Sequence, residues 1–211
     1  MKTDELIRLL SEDAPVRLRL GRMLVLALCV GILFSGTLFL ASVGLRHNLV
    51  SAVETLRVAF KIGVTLALAI VGFGLLTRIG RPGAVISSWI AALAGVLATV
   101  AIAVAAELLT VPQAAWGANL SGQHAAFCLF FIPVLSLAPL AAFLTALREG
   151  APEDPGRAGA AAGLAASAIG AALYAWHCPD DSPLFVATWY TLAITLVTAV
   201  GYVAGRRLLR W

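Results

Sequence analysis

Two histidine-cysteine pairs are the residues of this chain whose chemistry reaches beyond packing. His177 and Cys178 are adjacent in the stretch Tyr174 to Tyr190, YAWHCPDDSPLFVATWY, where a small-residue apolar run meets an acidic, Pro-flanked turn and an aromatic-rich helix start. His124 and Cys128 are four residues apart, which puts them on one face of a helix that begins early enough. Thiol and imidazole titrate, bind soft metals or form covalent bonds near neutral pH, and a Leu/Ala-rich background offers neither. The same Pro, Asp and Ser residues also make a plain turn between two helices. The third cysteine is Cys29, and the three show neither a C-x-x-C nor a zinc-finger spacing.

The elements that must hold these groups are apolar helices. The chain is 61% hydrophobic and 12% charged, against roughly 45–50% apolar residues in a soluble domain. That composition predicts an all-α integral membrane protein. About 20 apolar residues cross a bilayer core, and six segments are long enough: Met23 to Val43, Val58 to Leu76, Ala84 to Leu108, Ala125 to Leu147, Ala158 to Trp176 and Leu184 to Ala204. The first exceeds the apolar core of a signal peptide and reads as a retained anchor. Residues 23–211 thus form a six-helix transmembrane domain, preceded by a short segment at 1–22.

Lys and Arg set the orientation. Lys2, Arg8, Arg17, Arg19, Arg22, Arg78, Arg81, Arg148, Arg157, Arg206, Arg207 and Arg210 fall on one side, which leaves Arg46, Arg57 and Lys61 of the 15 basic residues on the other. Both termini are therefore expected in the cytoplasm of a bacterium, with the chain multi-pass in the inner membrane. The net charge of +4 is a topology signal and carries no expectation of nucleic-acid binding. Cys128 opens the fourth helix and Cys178 closes the fifth, both at the outer face, where an oxidising compartment lets a disulfide persist. Cys29 lies in the inner part of the first helix, away from both.

Residues 1–22 are too polar to be embedded. Thr3 caps a short helix whose first turn holds Asp4 and Glu5, with Leu6, Ile7, Leu9 and Leu10 as an apolar stripe. A helix this short needs something to dock on. Its acidic bias favours a protein partner over a lipid surface, while Val16 to Arg22 suits anionic lipid headgroups. Lys61, one turn inside the second helix, is expected to snorkel or to pair with Glu54 or Glu107. Pro133 and Pro139 predict kinks in the fourth helix. Gly31 and Ser35, Gly159 and Gly163, and Gly201 and Gly205 have the spacing of close helix packing.

With these residues in view, the chain resembles the six-helix membrane anti-sigma factors of the NrsF (negative regulator of sigma F) family. The resemblance is carried by Leu173-Tyr174-Ala-Trp-His177-Cys178-Pro-Asp-Asp-Ser-Pro183-Leu-Phe185 with Trp189-Tyr190, by the opening Thr3-Asp4-Glu5-Leu6-Ile7, by the Pro-containing fourth helix ending Ala146-Leu147-Arg148, and by the Gly/Ala-rich fifth helix. It implies a regulator without enzymatic activity that holds an extracytoplasmic-function (ECF) sigma factor at the inner face and releases it under heavy-metal or oxidative stress. On this sequence the sensing thiols would be Cys128 and Cys178, and the sigma-binding element the tail around Asp4, Leu6, Ile7 and Leu10. Cys29 matches no family position.

The mechanism expected is a joint change of Cys128 and Cys178, by disulfide formation or by transient binding of a soft metal ion with help from His124 or His177. No other cofactor is expected, and the oligomeric state stays open. A quinone-linked membrane thiol oxidoreductase is the alternative, disfavoured because one outer cysteine pair leaves no second pair to exchange with. A transporter would want an ionisable residue near the midplane, and none of the six segments has one near its centre.

Overall fold

The protein, described here by a computed structural model, is defined over residues 20–47, 53–81, 83–150 and 152–209. The docking residues Thr3, Asp4, Glu5, Leu6, Ile7, Leu9 and Leu10 lie outside the described residues. Helices α1 (Leu20–Ser42), α2 (Leu56–Ile79), α3 (Ser87–Thr110), α4 (Gln113–Ser121), α5 (Ala125–Leu147), α6 (Pro155–Ala175) and α7 (Pro183–Leu208) follow one another, with no strand among the described residues. Six helices are long and apolar enough to cross a membrane, α4 and α5 together making the fourth such stretch.

Local chemistry accounts for three of the helix ends. Asp154 caps α6 by accepting from the backbone N–H groups of Gly156 at 2.8 Å and Arg157 at 3.0 Å, and Pro155 occupies the first helical position. Pro183 starts α7 in the same way, and Arg206 and Arg207 sit in its last turn, where cations suit the helix dipole. Near its start α7 widens into a π-turn at Val186–Tyr190, a local form that recurs at functional sites. The connection left between the apolar segments ending at Leu108 and starting at Ala125 contains α4, a nine-residue helix with no buried residue. Without an apolar stripe it left no periodic signal to read.

Helix α6 is the centre of the bundle, packed against α2, α5 and α7. Its small residues permit this. A Cβ added at Gly163 would come within 2.7 Å of the Val197 carbonyl oxygen, and one at Gly159 within 2.7 Å of the Gly205 Cα. A Cβ at Gly170 would meet Ser136 Oγ at 2.6 Å. The Gly159/Gly163 and Gly201/Gly205 faces therefore pack on each other within one chain.

Helix α1 lies on α5 by the same device, with Gly31 against the Pro139 backbone. Pro139 has no N–H to give the Leu135 carbonyl, and the Ser35 hydroxyl of α1 donates to that oxygen at 2.7 Å instead. The proline break is thereby a fixed packing feature. Outward-facing side chains such as Leu33, Ile70, Ile102 and Leu109 are exposed, which gives the helices that are long enough to cross a membrane an apolar outer face. One end of the bundle carries both buried thiols, and the other carries Arg78, Arg81, Arg148, Arg157, Arg206 and Arg207.

The α6–α7 contact gives a direct stability test. Replacing Gly163 by Val forces backbone apart and is expected to cost about 1–3 kcal/mol. Gly36→Val, at a site with open space around it, is expected to leave thermal unfolding in detergent nearly unchanged. Equal melting shifts for the two variants would contradict the packing.

Candidate functional site

Cys128 lies in the first turn of α5 and Cys178 just beyond the end of α6, with their Sγ atoms 3.8 Å apart. Both are free thiols, 0% and 1% exposed. A disulfide holds its sulfurs about 2.0 Å apart, so the two are apposed and unbonded. They sit in an apolar cluster with Phe39, Val58, Ile132, Tyr174, Phe185 and Tyr190. Tyr174 stacks on Phe131 with ring centroids 5.9 Å apart. Cys29 is on an exposed face of α1 and is not in this cluster.

The loop that carries Cys178 is held from several sides at once. Lys61 of α2 is 0% exposed. Its ammonium donates to the Cys178 carbonyl at 2.6 Å, to the Asp180 carbonyl at 3.3 Å and to the Asp181 carboxylate. Arg46 donates to the same carboxylate at 2.8 Å. Burying a cation is tolerable when it is paired and its protons are satisfied. Glu54 and Glu107 were expected as partners for Lys61, and the partner found is Asp181. Sequence distance hid it, because Lys61 and Asp181 are 120 residues apart and meet only once α2 packs on α6.

Two further carboxylates tie the loop down. Asp180 accepts from the backbone N–H groups of Gln123 at 3.1 Å and His124 at 2.9 Å, and lies 3.2 Å from His124 Nδ1. It therefore holds the two residues that lead into α5, the helix that bears Cys128. Glu107 of α3 accepts from the Ser182 hydroxyl at 2.8 Å and the Leu184 N–H at 3.0 Å, and so caps α7. Asn119 adds a bond to it at 3.0 Å, with the Arg57 guanidinium 3.5 Å away. The acidic turn residues are thus structural anchors for the thiol loop. Reading the hairpin as a turn gave no sign of this, since the partners lie on other helices.

The geometry places the four expected ligands differently. Cys128 and Cys178 meet, whereas His124 is engaged by Asp180 and His177 Nδ1 faces the Gly44 carbonyl oxygen at 3.0 Å. Among the described residues no group of three or more His, Cys, Asp and Glu side chains gathers to hold a metal ion. The chemistry the site offers is that of a two-thiol pair. The Cys178 thiol is held below the usual thiol range, first by the hydrogen bond with Cys128 and also by the Lys61 ammonium, against the opposing effect of burial.

A model of the family described as "Negative regulator of sigma F" matches residues 10–211. The chain belongs to the NrsF family. The full lengths of two NrsF relatives align with the full length of this chain. The probable anti-sigma-F factor NrsF of Azospira oryzae is 33% identical over 214 residues, and the anti-sigma-F factor NrsF of Caulobacter vibrioides is 34% identical over 215. No solved structure matches the chain. The resemblance read from the 173–190 hairpin is therefore correct. As a member of NrsF, the protein is a regulator and not an enzyme, and the quinone-linked oxidoreductase is set aside.

The buried ammonium is the site's most exposed weakness to mutation. Lys61→Met leaves Asp181 with Arg46 alone in a partly buried place, and the expected loss is about 3–5 kcal/mol. In a double-mutant cycle with Asp181→Asn, the losses should fall well short of adding. Thermal unfolding of the purified chain measures both, and strictly additive losses would show that the pair does not interact.

Proposed function

We propose that this protein is a bacterial inner-membrane anti-sigma factor, with both termini cytoplasmic, that holds an ECF sigma factor and lets it go when the Cys128–Cys178 pair is oxidised. The reading rests on the buried thiol pair, with Sγ atoms 3.8 Å apart, at the bundle end opposite the Arg-rich loops. By the positive-inside rule those loops face the cytoplasm and the thiols face the oxidising side. Two thiols and one hydroperoxide give a disulfide, an alcohol and water, so the electrons balance with a peroxide as oxidant. A soft metal ion would find two sulfurs and, among the described residues, no third His, Cys, Asp or Glu in a ligand group. Disulfide formation is thus the better supported signal.

The docking element is the segment of Thr3, Asp4, Glu5, Leu6, Ile7, Leu9 and Leu10, whose apolar stripe and acidic start suit a helix laid in a protein groove. Joining the sulfurs draws the Cys178 loop toward α5 and alters its hold on α2 through Lys61. For this to act at the other face, the two packings of the bundle must bind the sigma factor with different affinity. A tenfold release corresponds to about 1.4 kcal/mol of coupling.

Two measurements check this. Full-length protein solubilised from membranes is expected to co-purify with a sigma factor, and removal of residues 1–13 to abolish the capture. In cells, replacing Cys128 and Cys178 together by Ser is expected to leave sigma-dependent transcription uninduced by peroxide. An undiminished response in that double variant would overturn the thiol mechanism.

A further inference from the structure

The two thiols of the pair do not have equivalent surroundings. Cys178 is in a loop whose own carbonyl takes a 2.6 Å bond from the buried Lys61 ammonium. Cys128 is a first-turn residue of α5, a place where the helix N-terminus would by itself favour a thiolate. That pull is offset, because the carboxylate of Asp180 already occupies the Gln123 and His124 N–H groups at the same end. Of the two cysteines, only Cys178 has its own backbone bonded to the Lys61 ammonium. The Asp180 carboxylate lies at the start of α5 and also two residues from Cys178, whose thiolate it opposes, so the cation at Cys178 acts against it.

Resting on the redox reading above, we propose that Cys178 is the attacking thiol, Cys128 the resolving thiol, and Lys61 the positioning residue that sets this order. The Cys178 sulfur attacks the O–O bond of a hydroperoxide. It becomes a sulfenic acid and the leaving alkoxide departs as an alcohol with the thiol proton. The Cys128 sulfur, already 3.8 Å away, then attacks the sulfenyl sulfur. The S–S bond forms and the hydroxyl leaves as water with the Cys128 proton. The Cys178 thiol is held below the usual thiol range, first by the hydrogen bond with Cys128 and then, against burial, by the Lys61 ammonium, which agrees with this order. Asp181 does not cancel the cation at Cys178, since it is shared with Arg46.

The test uses the full chain in detergent, peroxide as oxidant, dimedone as the sulfenic-acid trap, and peptide mass spectrometry to locate the adduct. In Cys128→Ser the adduct is expected on Cys178. In Cys178→Ser, Cys128 is expected to be trapped at least tenfold more slowly. Equal trapping, or faster trapping at Cys128, overturns the order. No sigma factor is in the assay, so the result is separate from whether oxidation releases one.

The role of Lys61 is read from the pH profile of trapping in the Cys128→Ser background. Adding Lys61→Met is expected to move the midpoint to higher pH, and Lys61→Arg to keep it near that of Lys61. A loss of packing alone would lower yield without moving the midpoint. An unmoved midpoint would remove Lys61 from the account, and the order of attack is decided by the two Cys variants even where Lys61→Met fails to fold.

Discussion

A buried ammonium on α2 holds one end of this bundle in register. Lys61 spends its protons on the Cys178 and Asp180 carbonyls and the Asp181 carboxylate, which are backbone and side-chain groups of a single turn. An unpaired cation in that place would be strongly unfavourable, so wherever α2 packs, the turn must follow. That requirement presents Cys178 to Cys128. Asp180 extends it by holding the lead-in to α5, and Glu107 of α3 by capping α7. Helices remote in sequence are thus tied to one short loop.

The rest of the bundle is built so that the helices behind that loop approach closely. Gly159 and Gly163 face Gly201 and Gly205 at distances no side chain would tolerate, and Gly31 takes the Pro139 backbone. Between helices long and apolar enough to cross a membrane, close packing and interhelical hydrogen bonds are the interactions that hold in lipid as well as in water. The Ser35 bond to the Leu135 carbonyl is one such bond, and it removes the freedom that Pro139 would otherwise give α5. A tightly packed interior of this kind has discrete arrangements in preference to a continuous range.

Much of the architecture was legible in the sequence, because helix length and apolarity are local properties. The six apolar segments and the small-residue faces follow from runs of residues, and the Lys and Arg residues put Cys128 and Cys178 at one end of the bundle; that the two sulfurs touch comes from the packing. What stayed hidden was pairing at long range. Lys61 looked like a residue at an interface, yet it is wholly buried because Asp181 and two carbonyls reach it from the far end of the chain. Asp180, Asp181 and Ser182 looked like ordinary turn formers, and their partners on α2, α3 and α5 have no marker in the local pattern. Helix α4 escaped because a short helix without an apolar stripe has no period to detect.

The central claim is that the Cys128–Cys178 pair changes covalent state when the protein changes function. The most direct check is to quench membranes with acid before and after peroxide treatment of cells, and to count free and oxidised thiols at Cys128 and Cys178 by differential alkylation. Two free thiols are expected at rest, and a Cys128–Cys178 disulfide appearing in step with sigma-dependent transcription. Thiols that stay free while that transcription rises would contradict it.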